Sequence, residues 1–197
     1  MRDKNKSKKY QSIVATGKEL FWRYGIKRVS LEEICKDASV SKMTFYKYFP
    51  NKIDLAKSIL ESILEESFEK FDLILESDST FQNKVEQMLL MKMEGTKDIS
   101  AEFLNDVYGN PDIGLHQLME HAHKRSTKMF TRFLETEQEK GEIRSDIKID
   151  FVIYQMNLMT QIVNDQTMLD KYDTPNQLIM ESMRFLFYGL MPINKEG

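Results

Sequence analysis

Helix-forming patterns run along this chain from end to end, and no segment alternates apolar and polar residues between turns as a half-buried strand does. The first pattern places Ile13, Leu20 and Tyr24 on one face at helical spacing and ends at Gly25, a residue that favours a helix C-terminus. With no strand pattern to build a sheet, the sequence predicts an all-α protein of about nine helices.

Most of the predicted helices begin after a serine, threonine or asparagine, whose side-chain oxygen accepts a hydrogen bond from a free amide of the first turn. Pro50 disfavours helical geometry at Phe49 and ends the third helix. The predicted helices are, in order, 8–24, 31–38 capped by Ser30, 41–49 capped by Ser41, 51–76 capped by Asn51, one opened by Ser79 and Gln82, 99–107, 111–140 capped by Asn110, 147–170, and 174–188 opened by Thr174 and Pro175.

The charges are unevenly distributed along the chain, although the net charge is only −3. Residues 1–57 hold 14 lysines and arginines against 6 acidic residues, whereas the remainder holds 14 against 25. A basic segment joined to an acidic body indicates a polyanionic partner at one end of the protein. A solvated basic tail explains part of this asymmetry, since five of the positive charges lie within the first nine residues.

Residues 41–49 carry four aromatic rings together with lysines, an unusual combination for so short a helix. At 100° per residue, Phe45 and Phe49 share one side, while Met43 and Lys47 lie opposite, flanked by Tyr46 and Thr44. Rings on one side and lysine, tyrosine and methionine on the other indicate a helix that packs inward and presents its outer face to a ligand. Residues 31–49 thus predict a helix-turn-helix, whose second helix enters the DNA major groove.

The flanking residues fit a DNA contact as well. The hydroxyls of Ser30 and Ser41 and the free amides of their helices suit phosphate oxygens. Lys52 lies in a first turn, where the helix dipole disfavours a cation, so a nearby phosphate is the expected explanation.

Residues 13–55 resemble the DNA-binding domain of the TetR family of bacterial transcriptional regulators. The resemblance rests on the pattern Ile13, Leu20-Phe21, Tyr24-Gly25, Ser30, Val40-Ser41, Thr44-Phe45-Tyr46, Phe49 and Lys52. It implies phosphate contacts from Thr44, Tyr46, Tyr48 and Lys52, and contacts at or near the bases from Lys42, Met43 and Lys47. The sequence departs from the family pattern at Thr16-Gly17, where alanines are usual, and at Ser39, where glycine is common.

The resemblance implies a DNA-binding domain in residues 1–50 and a ligand-binding and dimerisation domain in residues 51–197. The last helix is apolar on nearly every side, and its own core can cover only one face. A homodimer through the last two long helices is therefore expected. The predicted interface residues are Leu158, Ile162, Leu178, Ser182, Phe185 and Leu186.

A pocket for a small apolar or amphipathic effector is expected in the body, because thirteen methionines and several aromatics offer an adaptable apolar lining. The candidate lining residues are Phe68, Phe71, Met88, Met91, Phe103, Tyr108, His116, Met119, His123, Tyr154 and Asn157.

The expected function is a ligand-released repressor that binds an inverted repeat in double-stranded DNA as a homodimer. Control by a protein partner, the absence of any effector, and a helical-bundle enzyme or carrier remain alternatives. A catalytic thiol at Cys35 and a metal site at His116, Glu120 and His123 are weaker readings than a buried cysteine and a polar helix face, so no catalytic residue, cofactor or metal is expected. Without a membrane-spanning apolar run or a signal peptide, the expected location is the cytoplasm.

Overall fold

A computed structural model describes residues 7–109, 113–162 and 165–191, with the side chain of Thr160 left out. Within these residues the chain forms α-helices and one π-helical turn, and no strand. The helices are α1 (Lys8–Tyr24), α2 (Leu31–Asp37), α3 (Lys42–Tyr46), α4 (Lys52–Glu76), α5 (Phe81–Thr96), α6 (Ala101–Leu104), α7 (His116–Glu139), α8 (Ile149–Ile162), α9 (Gln166–Leu169) and α10 (Pro175–Tyr188), with the π-helical turn at Asn105–Gly109 after α6. The all-α prediction is confirmed.

Several helix starts lie where the sequence places them. Ser30 forms a capping box with Glu33, and Ser41 and Thr174 each accept a bond from the amide three residues on. The Asn51 carboxamide oxygen accepts from the amides of Ile53 and Asp54, at 2.8 and 2.9 Å. Such caps form between residues within one turn of each other, so they are readable from sequence.

Three predicted boundaries are wrong. Helix α5 is capped by Thr80, which accepts from Asn83, rather than by Ser79. Helix α7 begins at His116, because Gly114 has a positive φ of 75° and interrupts the helix expected from Pro111. The predicted helix 147–170 ends at Ile162, and Asp165 caps the separate helix α9. The predicted cap Asn110 and Pro111 lie outside the described residues.

The described chain divides into two compact units. The first comprises Met1–Glu66 and Asp98–Met119, and the second Ser67–Lys97 and Glu120–Gly197. The unit that contains α2 and α3 therefore also takes in the first turns of α4, helix α6 and the π-helical turn.

The first unit is built around side chains of α1 to α4, and of the loop between α1 and α2, that have no exposed surface. Gly17 allows α1 to approach α4 closely, because a Cβ at this position would lie 2.7 Å from Leu55 Cδ2. The indole of Trp22 packs on Phe103 with ring centroids 4.2 Å apart, and the Trp22 carbonyl accepts from Ser100 N at 2.9 Å. The fully buried residues of this core are Ile13, Phe21, Ile26, Ile34, Phe45 and Leu55.

The second unit has an aromatic core and one buried ion pair. The ring of Phe130 packs against Phe71 and Phe187, with centroids 5.9 and 5.8 Å apart. Lys84 Nζ lies 3.2 Å from Glu137 Oε1, and both side chains are 3% exposed. Glu137 Oε1 also accepts from Lys140 Nζ at 2.9 Å, so replacing Lys84 leaves Glu137 with a partner, whereas replacing Glu137 strands the buried Lys84 ammonium and costs about 3–5 kcal/mol.

None of the described helices is both long enough and apolar enough to cross a membrane.

Candidate DNA-binding face

The turn between α2 and α3 is fixed by backbone hydrogen bonds. Ser39 N donates to Lys36 O at 3.1 Å, and Val40 N donates to Cys35 O at 2.9 Å, the two bonds of a Schellman motif. This motif places Ser39 in the left-handed region, with φ 53°, where a side chain is disfavoured. The turn therefore has one defined geometry, despite carrying serine where glycine would be less strained.

Helix α3 is anchored by its inner side. The Ser41 hydroxyl accepts from Thr44 N at 3.1 Å, which satisfies an amide of the first turn. Phe45 is fully buried and Phe49 is 5% exposed, with their ring centroids 5.8 Å apart. Burial of each ring contributes about 1.5–3 kcal/mol, which holds the short helix in place.

The outer side of α3 is open. Met43 is 76% exposed and Tyr46 is 57% exposed, and Lys47 is exposed at the C-cap. This is the division of faces that the helical wheel predicts. The DNA contacts assigned to these residues and to Thr44, which is half-buried, stay a prediction.

Two other predicted contact residues already have partners within the protein. The Tyr48 hydroxyl lies 2.7 Å from Ser7 Oγ, and the Tyr48 ring packs edge-on against Tyr10. Ser30 Oγ accepts from Glu33 N at 3.1 Å in the capping box. Both side chains are half-buried, so each has a structural role beside any contact with phosphate.

Lys52 corrects an inference made from the helix dipole. Its ammonium donates to the carbonyl oxygens of Ile26, Lys27 and Val29, at 2.8, 2.9 and 2.6 Å. Burial lowers the pKa of Lys52, which the carboxylates of Asp106 and Glu33 partly offset. The cation in the first turn of α4 thus has a reason to be there without a phosphate: it satisfies the carbonyls of the loop between α1 and α2.

Asp106 supports the same loop, and sequence reasoning missed it. Its carboxylate, 5% exposed in the π-helical turn, accepts from Lys27 N at 2.8 Å. Gly25 is needed beside it, because the backbone has φ 80° and a Cβ would lie 2.8 Å from Asp106 Oδ2. The two residues joined by the hydrogen bond are 79 positions apart, so no local pattern announces the contact.

Lys42, on the predicted recognition helix α3, forms an ion pair with an acid. Its ammonium donates to the Glu32 carboxylate in the first turn of α2. The hydrogen bond from Lys42 holds the pKa of Glu32 below its usual range, and the same bond raises the pKa of Lys42. Both side chains are more than half exposed.

The residues predicted to line an effector pocket fall into both compact units. Phe103 and Met88 are buried in the cores of the first and second units, and Phe68 lies under the Arg125 guanidinium at 4.1 Å from the ring centroid. The first unit also holds half-buried Met119, 46%-exposed Tyr108 and exposed His116; the second holds half-buried Phe71 and Met91, 60%-exposed Tyr154, and exposed His123 and Asn157.

The predicted interface residues divide into two sets. Leu178 and Leu186 are 2% and 9% exposed in the protomer, so they offer a partner little area to bury, although both line the groove described below. Phe185 is 85% exposed and Ile162 is 38% exposed, while Leu158 and Ser182 are half-buried. Phe185 and Ile162 border an open groove of about 1920 Å³ along α8, α9 and α10.

The structure supports neither a catalytic thiol at Cys35 nor a metal site at His116, Glu120 and His123. Cys35 is 5% exposed and packs in the core of the first unit, and its burial raises the pKa of the thiol, which disfavours the reactive thiolate. Glu120 pairs with Lys124 at 2.6 Å. Among the residues that the structure describes, no three histidine, cysteine or acidic side chains are placed to hold a metal ion.

Comparison with known proteins gives a family profile and several bacterial transcriptional regulators. Residues 13–59 match the sequence profile of the bacterial regulatory proteins, tetR family. The uncharacterized HTH-type transcriptional regulator YhgD of Bacillus subtilis (strain 168) is 24% identical over 131 residues, which are 66% of this chain and 66% of that protein.

Solved structures share the fold along most of the chain. The regulatory protein TetR from Rhodobacter sphaeroides superimposes with a TM-score of 0.73 at 20% identity, covering 94% of this chain and all of that one. The transcriptional regulator FadR from Bacillus subtilis, in complex with stearoyl-CoA, gives a TM-score of 0.69 at 18% identity, covering 92% and 99%.

Proposed function

Since the chain is a helix-turn-helix transcriptional regulator of the tetR family, we propose that it is a repressor that binds an inverted repeat as a homodimer and is released by a small amphipathic ligand. The family is one of regulators rather than enzymes. In this proposal residues 1–50 bind DNA, residues 51–197 serve ligand binding and dimerisation, and the protein acts in the cytoplasm.

The observation that carries the DNA-binding proposal is the division of α3 into a buried and an open side. Phe45 fixes the helix from within, while Met43, Tyr46 and Lys47 are exposed on a helix, and the major groove is wide enough to admit one. Met43 and Lys47 are assigned to the base edges, and Tyr46 to the phosphates that position the helix.

The exposed apolar surface of the second unit supports the homodimer. Phe151, Phe185 and Tyr188 are 53%, 85% and 61% exposed along the groove of α8 to α10. A monomer that left such a contiguous apolar surface in water would be prone to aggregate, and a two-fold dimer covers the same patch on both copies at once. In the dimer, the two recognition helices read half-sites about one helical turn apart, or a multiple of that distance.

Two polar contacts offer a route from ligand to DNA. Asp106 in the π-helical turn and Lys52 in α4 both hold the loop that precedes α2, so a ligand that favours another arrangement of either element alters the presentation of α3. The ligand acts only through its differential affinity for the two arrangements. An amphipathic ligand is favoured by the stearoyl-CoA bound in the structurally similar FadR, and by the methionine and aromatic residues of the body.

Selection of bound sequences from a random duplex pool tests the DNA-binding proposal. We expect an inverted repeat, and binding by a dimer that weakens as salt rises. Recovery of no preferred sequence, or of a single half-site bound by a monomer, would contradict it.

Thermal denaturation with a series of acyl-CoA thioesters, and with the corresponding free acids, tests the ligand. A true effector raises Tm and releases the selected duplex, and the duplex weakens effector binding by the same factor. A ligand that raises Tm while leaving DNA affinity unchanged would remove release by that ligand from the proposal.

A further inference from the structure

The Glu32–Lys42 ion pair joins the two helices of the helix-turn-helix on their exposed side. Glu32 is in the first turn of α2, where the helix dipole favours an acid, and Lys42 is the first residue of α3, where the dipole disfavours a cation. The side chains are 63% and 56% exposed. The pair thus neutralises a cation on the helix assigned to the major groove while remaining open to exchange with another anion.

Neither residue is tied down by the caps of its helix. The capping box of α2 uses Glu33, whose carboxylate accepts from Ser30 N at 2.7 Å, and the cap of α3 uses Ser41. Loss of the Glu32 carboxylate therefore leaves both capping hydrogen bonds in place, and removes an acid that the dipole of α2 favours and that accepts a hydrogen bond from its own backbone amide.

We propose that Glu32 competes with DNA phosphate for the Lys42 ammonium, and so lowers the affinity of this protein for duplex DNA of arbitrary sequence. This inference rests on the proposed function as a DNA-binding dimer. Non-specific affinity comes from lysines and arginines that neutralise phosphates and release counterions. A lysine already neutralised by an acid of its own protein releases fewer counterions, so a larger share of the binding depends on contacts with bases.

The salt dependence of binding gives the expected size of the effect. Each phosphate contact adds about 0.9 to the slope of log Kobs against log salt, so two freed lysines in a dimer add about 1.8. Over a fourfold rise, from about 50 mM to about 200 mM salt, a slope difference of about 1.8 corresponds to about 12-fold in affinity.

The test compares the full-length protein with its Glu32→Gln variant on mixed-sequence duplex DNA and on the duplex recovered by selection. We expect Glu32→Gln to bind mixed-sequence DNA more tightly at low salt, with that advantage shrinking about 12-fold across the salt range. The ratio of the affinity for the selected duplex to the affinity for mixed-sequence DNA should fall.

Two variants control the result. Glu19→Gln removes the same charge from an exposed position on α1, so a gain that it reproduces would reflect net charge alone and overturn the inference. In the double variant Glu32→Gln/Lys42→Gln the extra slope should disappear, because the freed ammonium is gone; an extra slope that persists would exclude Lys42 as its source.

The outcomes separate this inference from the proposal on which it rests. If the wild-type protein selects an inverted repeat but Glu32→Gln matches it in salt slope, the competition fails and the proposed function stands. If Glu32→Gln weakens only the selected duplex, Glu32 instead positions Lys42 for a base, and the competition is wrong. If the wild-type protein binds no duplex, the proposed function and this inference are both overturned.

Discussion

Phe185 gives the sharpest test of how two copies of this protein associate. It is 85% exposed at the C-terminal part of α10, beside the groove along α8 to α10. In a two-fold dimer through this surface the residue is buried twice, once from each protomer. Replacing it by alanine removes two aromatic rings from the interface and leaves the core of the protomer untouched.

The exposed area of Phe185 sets the expected loss of dimer stability. An aromatic side chain exposes on the order of 200 Å², so the exposed fraction leaves about 170 Å² to bury and about 4 kcal/mol per copy at 25 cal/mol per Å². Association also orders the side chain, so the measured loss is smaller. At about 2 kcal/mol per copy, typical of a strong interface residue, Phe185→Ala costs about 4 kcal/mol and raises the dimer Kd about 1000-fold.

Sedimentation velocity over a range of protein concentrations measures this shift, and Leu73→Ala is the matched control. Leu73 is 69% exposed on α4, outside the proposed interface, so its replacement removes a comparably exposed apolar side chain. We expect Leu73→Ala to dimerise like the wild-type protein. Phe185→Glu, which adds a charge, should give monomers or insoluble protein and no binding to an inverted repeat.

Two results would refute the reasoning. If Phe185→Ala dimerises with the wild-type Kd, α10 does not form the interface. If Leu73→Ala dissociates as readily as Phe185→Ala, the loss reflects exposed apolar area in general rather than this surface.

Three further predictions concern the helix-turn-helix. Lys47→Ala should change the sequence preference, altering the binding free energy difference at one base position by about 1–3 kcal/mol, as measured by repeating the duplex selection. Tyr46→Phe should instead weaken binding to all sequences about equally. An unchanged preference for Lys47→Ala would mean that another side chain reads the base. Ser39→Gly should raise stability by about 0.5–1 kcal/mol, because glycine adopts the positive φ without strain. Thermal unfolding should show Tm above that of the wild-type protein, with no such gain for Ser39→Ala. The hydrogen bond from Ser30 N lowers the pKa of Glu33. The stability that the Glu33 carboxylate contributes is therefore fully present above the ordinary carboxyl pKa and is lost as pH falls through the lowered value. The stability of Glu33→Gln should depend less on acid pH in unfolding curves, and an equal dependence would contradict this role of Glu33.

The sequence alone determined the features that depend on neighbours along the chain. The caps at Ser30, Ser41, Asn51 and Thr174 are hydrogen bonds that close within one helical turn, and the caps of α2, α3 and α10 lie where their residue types predict. The division of α3 into Phe45 and Phe49 inside and Met43 and Lys47 outside follows from a period of 3.6 residues alone.

The last helix shows where periodicity stops being sufficient. Leu178, Leu186 and Phe185 are all apolar, and a helical wheel cannot tell which apolar side faces the protomer's own core. The structure buries Leu178 and Leu186 and leaves Phe185 exposed on a helix that α5, α8 and α9 contact. That choice belongs to the packing of other helices, which a single helix does not encode.

The partners of charged side chains were decided by tertiary structure for the same reason. Lys52 was expected to meet a phosphate, and its ammonium instead holds carbonyls 23 to 26 residues away; Asp106 reaches an amide 79 residues away, and Lys42 meets an acid 10 residues away on another helix. A long flexible side chain goes to whichever opposite charge or open carbonyl the fold brings within a few ångströms. Residue type and spacing thus determined the helices and the face that α3 presents, while the fold decided which of the charges near that face remain free to meet DNA.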